Sequence, residues 1–175
     1  MKYEPVKEQT ELEKQVESAI NLIMDAEQIY LCGNGGSAAL ADHFCTDLMK
    51  FGGIKAISLC SNTALITMIA NDYGYEHVFS FQLQCLNIER GEVLICLTTS
   101  GKSENIIEAA KYAFFHGVSV ISIAGGGDRS ELSKYSTVFI DLSEYSNTMD
   151  IEDEQIRVAH KITRKIAKLY KEFWR

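Results

Sequence analysis

The sequence predicts an α/β fold, a doubly wound five-stranded parallel sheet flanked by helices. Two observations support this: short, continuously apolar segments alternate with longer amphipathic ones, and glycine-rich loops follow two of the apolar segments. Continuous apolar strands are typical of parallel sheets that are covered on both faces. The 175 residues contain no repeat or long linker, so 1–175 is predicted to be a single domain.

The chain opens with a predicted helix over about 8–26, because apolar residues recur there at helical spacing. The residues of this apolar stripe are Leu12, Val16, Ile20 and Ile23. A short β-rich run at 29–32 predicts the first strand. A helix is expected from about Ala38, with Ser37 as its N-cap.

The middle of the chain continues the alternation. Residues 55–60 (KAISLC) predict a second strand, and Ser61 or Asn62 is placed to cap the helix TALITMIA that follows. Residues 71–74 (NDYG) end that helix, and another is predicted from about Glu76 to Asn87.

The second half supplies three further strands. VLICLT is the most strand-like run in the chain, and a helix closed by Gly117 follows it. VSVISIA and STVFIDL predict the fourth and fifth strands, separated by the loop GGGDRS. The last predicted helix covers about 151–173. Its expected apolar side is Ile156, Ala159, Ile162, Ile166 and Leu169.

Composition excludes several functional classes. A formal net charge of −7 argues against nucleic acid or an anionic membrane as partner. No signal-peptide pattern or membrane-length apolar run is present, so a cytoplasmic location is expected. The five cysteines form no CxxC pair and lie mostly in apolar runs, which predicts buried free thiols.

Two loops are candidate anion sites. CGNGGS (32–37) and TTSGKS (98–103) each follow an apolar strand and enter a helix. Such turns present free N–H groups and the positive end of a helix dipole, which suits phosphate. The spacing is not GxGxxG, so a dinucleotide is disfavoured. Either loop alone is also compatible with an ordinary strand-to-helix turn; two in one sheet favour a ligand site.

Two acid–imidazole pairs are candidates for chemistry. His43 and Asp47 are four residues apart on one predicted helix, and Glu152 and His160 lie on one side of the last. Imidazole and carboxylate suit both zinc binding and acid–base catalysis. The alternative is that the histidines make ordinary polar contacts at a helix surface and that Glu152 belongs to a solvated acidic run, DIEDE.

The segments CGNGGSAALADHF, ANDYGYE and TTSGKSENIIEA, in this order, resemble the SIS (sugar isomerase) domain. More closely they resemble the phosphoheptose isomerases, which interconvert sedoheptulose 7-phosphate and D-glycero-D-manno-heptose 7-phosphate. The resemblance implies an aldose–ketose isomerase acting through an enediol, a homotetramer with sites between subunits, and a place in heptose biosynthesis for lipopolysaccharide or capsule. Both outer helices are expected to make oligomer contacts.

The resemblance also implies roles for individual residues. Those matching the phosphate-holding hydroxyls are Ser37, Thr98, Thr99, Ser100 and Ser103. Those matching the rest of the substrate site are Asn34, Gly35, Gly36 and Asp72. Those matching ligands of a divalent metal, usually zinc, are His43, Asp47, Glu152 and His160. Of these, Asp47 or Glu152 is expected as base and His160 as proton shuttle.

Four positions depart from the family pattern. Asp47 stands in place of a glutamate, Glu152 in place of a glutamine, and Leu40 and Phe51 in place of an aspartate and an arginine. These changes leave open another ketose or aldose phosphate as substrate. They also leave open a second hypothesis, a non-catalytic SIS module that binds a sugar phosphate as a regulator or scaffold.

Overall fold

A computed structural model describes residues 10–173, so the predicted helix start near residue 8 lies outside the described part of the chain. The strands are β1 (Ile29–Gly33), β2 (Ala56–Ser58), β3 (Val93–Thr98), β4 (Ser119–Ala124) and β5 (Val138–Asp141). The α-helices are α1 (Glu11–Asp25), α2 (Gly36–Gly52), α3 (Thr63–Asp72), α4 (Ser80–Cys85), α5 (Glu104–Phe115) and α6 (Thr148–Phe173). Short 3₁₀ turns cover Tyr75–His77 and Leu132–Tyr135.

The five strands form one sheet in the order β2-β1-β3-β4-β5, and every neighbouring pair is parallel. The predicted fold class is confirmed. The chain moves outward from β1 to β2, then returns to the other side of β1 with β3, so the order reverses between β1 and β3. In open parallel sheets, ligands bind outside the carboxyl ends of the strands at such a reversal. The two candidate loops follow these two strands.

Alternate residues of each central strand enter different cores. On one face, Ile29, Leu31 and Ile95 pack with residues of α1, α2 and α6. On the other face, Tyr30 and Leu94 pack with residues of α3, α4 and α5. Because successive strand side chains point to opposite faces, a sheet covered on both sides requires the unbroken apolar runs seen in the sequence.

The sheet-facing side of α6 differs in part from the predicted one. Ile156 and Leu169 are 39% and 38% exposed, whereas Ala159, Ile162 and Ile166 are buried as expected. The buried stripe instead includes Gln155 and Thr163. The sequence pattern did not predict this face correctly, because polar residues on a helix normally indicate the side that faces solvent.

Two local expectations are wrong. Helix α2 begins at Gly36, so Gly35 rather than Ser37 is the N-cap. The single helix predicted over Glu76–Asn87 is a 3₁₀ turn followed by the short α4. Other boundaries agree: Asn62 caps α3 by accepting a hydrogen bond from the Leu65 N–H, at 3.1 Å.

All five cysteines are free thiols, as predicted, although Cys85 is exposed. Within the described part of the chain, no helix has the length and apolar character needed to cross a membrane.

Candidate active site

The turn after β1 opens α2 without a side-chain cap. Gly35 has a φ of 55°, which favours glycine, and as the N-cap it offers no side chain to bond the first N–H groups of α2. Ser37 is only 3% exposed, and its hydroxyl donates to Gln155 Oε1 at 3.0 Å. Gln155 in turn donates to the Ile123 carbonyl at 2.9 Å. A buried hydrogen-bonded chain therefore ties the turn to α6 and β4.

An amide pair joins the first candidate loop to the first turn of α5, which directly follows the second loop. Asn34 donates to Asn105 Oδ1 at 2.9 Å, and Asn105 donates back to Asn34 Oδ1 at 2.8 Å. The Tyr75 hydroxyl also donates to Asn34 Oδ1, at 2.9 Å. Asn105 and Tyr75 were missed from the sequence, although an asparagine within the apolar ENIIEAA segment signals a buried polar role.

The second loop brings its hydroxyls to the start of α5. Ser103 is the N-cap of α5, but its side chain makes no capping hydrogen bond. Ser100 Oγ accepts from the Lys102 N–H at 3.2 Å and is exposed, and Thr99 is half-buried. Thr98 ends β3 and is 4% exposed. Ser100 is thus the exposed hydroxyl residue of this loop, Thr99 and Ser103 are half-buried, and Thr98 is buried.

The glycine loop after β4 packs against the backbone of the second candidate loop. A Cβ at Gly125 would lie 2.1 Å from the Thr99 carbonyl oxygen, so no larger residue fits without moving that backbone. The GGGDRS segment, which the sequence identified only as a loop, therefore fixes the position of TTSGKS.

Glu152 lies at the CGNGGS loop, where α2 begins. A Cβ at Gly36 would be 2.5 Å from Glu152 Oε1, which places this carboxylate against the first residue of α2. A carboxylate is favoured at a helix N-terminus. Glu152 is absent from the one group of potential metal-ligating side chains found among the described residues. The structure therefore does not bring it together with the other three residues predicted to bind metal.

Those three residues do converge. His43 Nε2 lies 3.0 Å from His160 Nε2, and Asp47 Oδ2 lies 3.5 Å from the former and 3.9 Å from the latter. All three ligand atoms fall within 4.8 Å of one another. Helices α2 and α6 pack side by side. This contact places His43 and Asp47, which are four residues apart on α2, next to His160 on α6.

The donor set fits a divalent metal. Two imidazole nitrogens and one carboxylate oxygen within 4.8 Å of one another are donor types that divalent transition metals accept. The side chain of Asp47 is largely buried, with 14% exposure, while those of His43 and His160 retain 47% and 36%.

Asp72 occupies a different position from the other predicted substrate residues. It is exposed at the end of α3 and accepts a hydrogen bond from Asn71 at 2.7 Å. No described hydrogen bond joins it to either loop. The NDYGYE segment instead reaches the site through Tyr75. Of the departures, Leu40 is buried in the core, whereas Phe51 lines a pocket with the histidine cluster.

Thiols lie beneath the two loops. Cys32 and Cys96 face each other across β1 and β3, and Cys32 donates to Cys96 Sγ at 3.7 Å. This hydrogen bond, together with burial, raises the pKa of Cys32 well above its usual value, and burial raises that of Cys60. The raised pKa values make Cys32 and Cys60 structural thiols rather than nucleophiles.

Comparison with known proteins identifies the family. Residues 4–125 match the SIS domain family. The phosphoheptose isomerase of Aliarcobacter butzleri is 37% identical over 161 residues, covering 88% of this chain and 82% of that protein. The chain belongs to the phosphoheptose isomerase family. The phosphoheptose isomerase of Helicobacter pylori strain HPAG1 is 40% identical over 126 residues, 68% of this chain and 65% of that protein.

A solved structure agrees with this assignment. Phosphoheptose isomerase GmhA from Neisseria gonorrhoeae superposes with a TM-score of 0.82 at 32% identity, covering 90% of this chain and 88% of that one. The resemblance inferred from three sequence segments is thus confirmed along most of the chain. Membership in an isomerase family also confirms the expectation of an enzyme over a non-catalytic SIS module.

Proposed function

We propose that this phosphoheptose isomerase family member interconverts sedoheptulose 7-phosphate and D-glycero-D-manno-heptose 7-phosphate through an enediol. The observation that carries the proposal is the convergence of His43, Asp47 and His160 on two helices of a sheet whose edge carries the two candidate anion loops. Family membership supports the reaction class, and the site supplies the groups that the reaction needs.

The spacing between the turn and the cluster suits a long sugar phosphate. His43 lies seven residues after Gly36 on α2, a rise of about 10 Å along the helix. An extended seven-carbon chain with its phosphate at the turn reaches that far with its opposite end. Phosphate binding at the two loops, through backbone N–H groups and the hydroxyls of Ser100 and Ser103, would then orient the reacting carbons.

Asp47 is the base that the geometry favours. Its carboxylate is the one that faces both histidines, whereas Glu152 lies at the turn. Asp47 would remove the proton from C1 of the ketose, and His160 would carry a proton between the oxygens of the enediol. Return of the proton to C2 then gives the aldose. The aspartate is one methylene shorter than the glutamate of the family pattern.

His43, Asp47 and His160 are the residues that would hold a divalent metal, which we propose is zinc and whose chemistry at this position is polarisation of the substrate oxygens. A homotetramer and a cytoplasmic location, both expected from the sequence, remain predictions.

His160→Gln tests the assignment. Loss of the proton carrier should lower kcat by about 10²- to 10⁴-fold. The affinity for sedoheptulose 7-phosphate, measured by isothermal titration calorimetry, should change little, because the phosphate loops lie elsewhere. Turnover equal to that of the unaltered enzyme would contradict the assignment.

His77→Gln is the matched control. His77 lies in the 3₁₀ turn, where its Nε2 is 3.8 Å from Glu76 Oε1 and both side chains are partly exposed, and such surface contacts contribute little to stability. This variant should retain full turnover and full affinity.

A further inference from the structure

A pocket of about 530 Å³ extends from the histidine cluster along the groove between α2 and α6. Its lining includes His43, Asp47 and His160, and beyond them Phe51, Thr163 and Arg164. Gly36 meets Glu152 at one end of the helix pair, and Gly52 meets Ile166 at the other. The two helices therefore run parallel. Thr163 and Arg164 follow His160 along α6, so they lie on the side of the cluster away from the CGNGGS loop at the start of α2.

Thr163 has a buried hydroxyl without a partner. It is 5% exposed, and its Oγ1 is the single buried side-chain polar atom that lacks a hydrogen bond among the described residues. Threonines in helices commonly donate to the carbonyl four residues earlier, as Thr46 does to Asp42 here at 2.9 Å. An unsatisfied buried hydroxyl is costly. Because Thr163 is also a lining residue of the pocket, an oxygen of a bound ligand is one partner that would satisfy it.

Arg164 is also unpaired, in contrast to its neighbours. On the same helix, Arg157 pairs with Glu154, and Lys161 and Lys165 pair with acidic residues of α1. Among the side chains described, Arg164 joins no ion pair or hydrogen bond, and neither does Lys168 further along the pocket. Arg164 and Lys168, which line the pocket, are thus without an acidic partner among the side chains described.

We propose that Thr163 and Arg164 bind the oxygens at the carbonyl end of the sugar, with the Arg164 guanidinium stabilising the negative charge that develops there in the enediolate. This inference rests on the proposed function and deepens it. Arg164 is one helical turn beyond His160 and lines the same pocket. A cation placed where charge develops acts mainly on the transition state.

The test compares Arg164→Gln and Thr163→Val with Arg157→Gln, an exposed control on the same helix. Arg164→Gln should lower kcat/KM by about 100-fold, largely through kcat. Thr163→Val should lower it by about 3- to 10-fold, the effect of one neutral hydrogen bond. Arg157→Gln should leave it unchanged. All three should bind inorganic phosphate as the unaltered enzyme does, because the loops are intact.

Thermal unfolding separates this role from a structural one. Valine has the shape of threonine and removes an unsatisfied hydroxyl, so Thr163→Val should unfold at the same temperature or higher. Full kcat/KM in both Arg164→Gln and Thr163→Val, with an active unaltered enzyme, would overturn the inference alone. An unaltered enzyme that binds phosphate but isomerises no sugar phosphate would instead overturn the proposed function, and this inference with it.

Discussion

Glu152 places a negative charge where the proposed substrate has one. Its carboxylate lies against Gly36, the first residue of α2, and so occupies the same positive helix end that would bind phosphate. Two anions at one helix terminus repel each other, and the repulsion is greatest where water is excluded. We therefore expect Glu152 to lower the affinity for phosphate, whereas the sequence placed it among the metal ligands.

Glu152→Gln should accordingly strengthen phosphate binding. Removing one like charge at close range is worth on the order of 1 kcal/mol, or about a fivefold gain in affinity. Isothermal titration calorimetry with inorganic phosphate measures this gain in affinity. The difference in affinity between the variant and the unaltered enzyme should be smaller at high salt than at low salt. Weaker or unchanged binding at low salt would show that the carboxylate does not face the bound anion.

Gln155 and Asn105 show which residues sequence patterns overlook. Both are buried polar residues on otherwise apolar helix faces, and each holds a candidate substrate residue in place. Ser37 and Asn34 were identified because they belong to the glycine turn itself. Their partners come from distant parts of the chain, and which distant amide meets which loop depends on the tertiary packing.

At the scale of elements, the contact between α2 and α6 assembles the cluster. Gly52 permits the close approach near the end of α2, because a Cβ there would lie 2.8 Å from Ile166 Cγ2 and 2.9 Å from Ile54 Cδ1. Ile166 is 1% exposed and has little room to move. The distances between His43 and Asp47 on one helix and His160 on the other depend on this packing.

Gly52→Ala should therefore affect both stability and catalysis. Overpacking at this contact should lower the free energy of unfolding by about 1–3 kcal/mol, as measured by urea denaturation. A displacement of α2 should also lower kcat, since misplacement of a catalytic group by about 1 Å can cost 100-fold. Met49→Ala, at a 54% exposed position of the same helix, is the control. Wild-type stability in Gly52→Ala would exclude a packing role for this glycine.

The elements themselves were largely predictable. Each strand and most helices follow from apolar runs and glycine punctuation, as at Gly117, whose φ of 76° matches its predicted place at the end of α5. The prediction of one helix from Glu76 was wrong because a pattern of only a few residues does not distinguish a 3₁₀ turn from the first turn of an α-helix. The prediction for the buried face of α6 was partly wrong because two polar residues, Gln155 and Thr163, lie on that face.

At the scale of the whole molecule, the strand order explains why the loops cooperate. The chain reverses direction across the sheet between β1 and β3, so the two loops meet at one edge, and the asparagine pair joins the first loop to the helix that follows the second. The order of strands could not be read from the sequence, although the parallel sheet could. With a net charge of −7, the protein offers no basic field, and local N–H groups and hydroxyls must bind the phosphate.

The most direct test of the central claim is proton exchange during turnover of sedoheptulose 7-phosphate in deuterated water, followed by NMR. A base that works through an enediol should produce the aldose with deuterium at C2 and should wash deuterium into C1 of the remaining ketose. The account predicts both signals in the unaltered enzyme and neither in Asp47→Asn. Phosphate binding without aldose formation or exchange at C1 would contradict it.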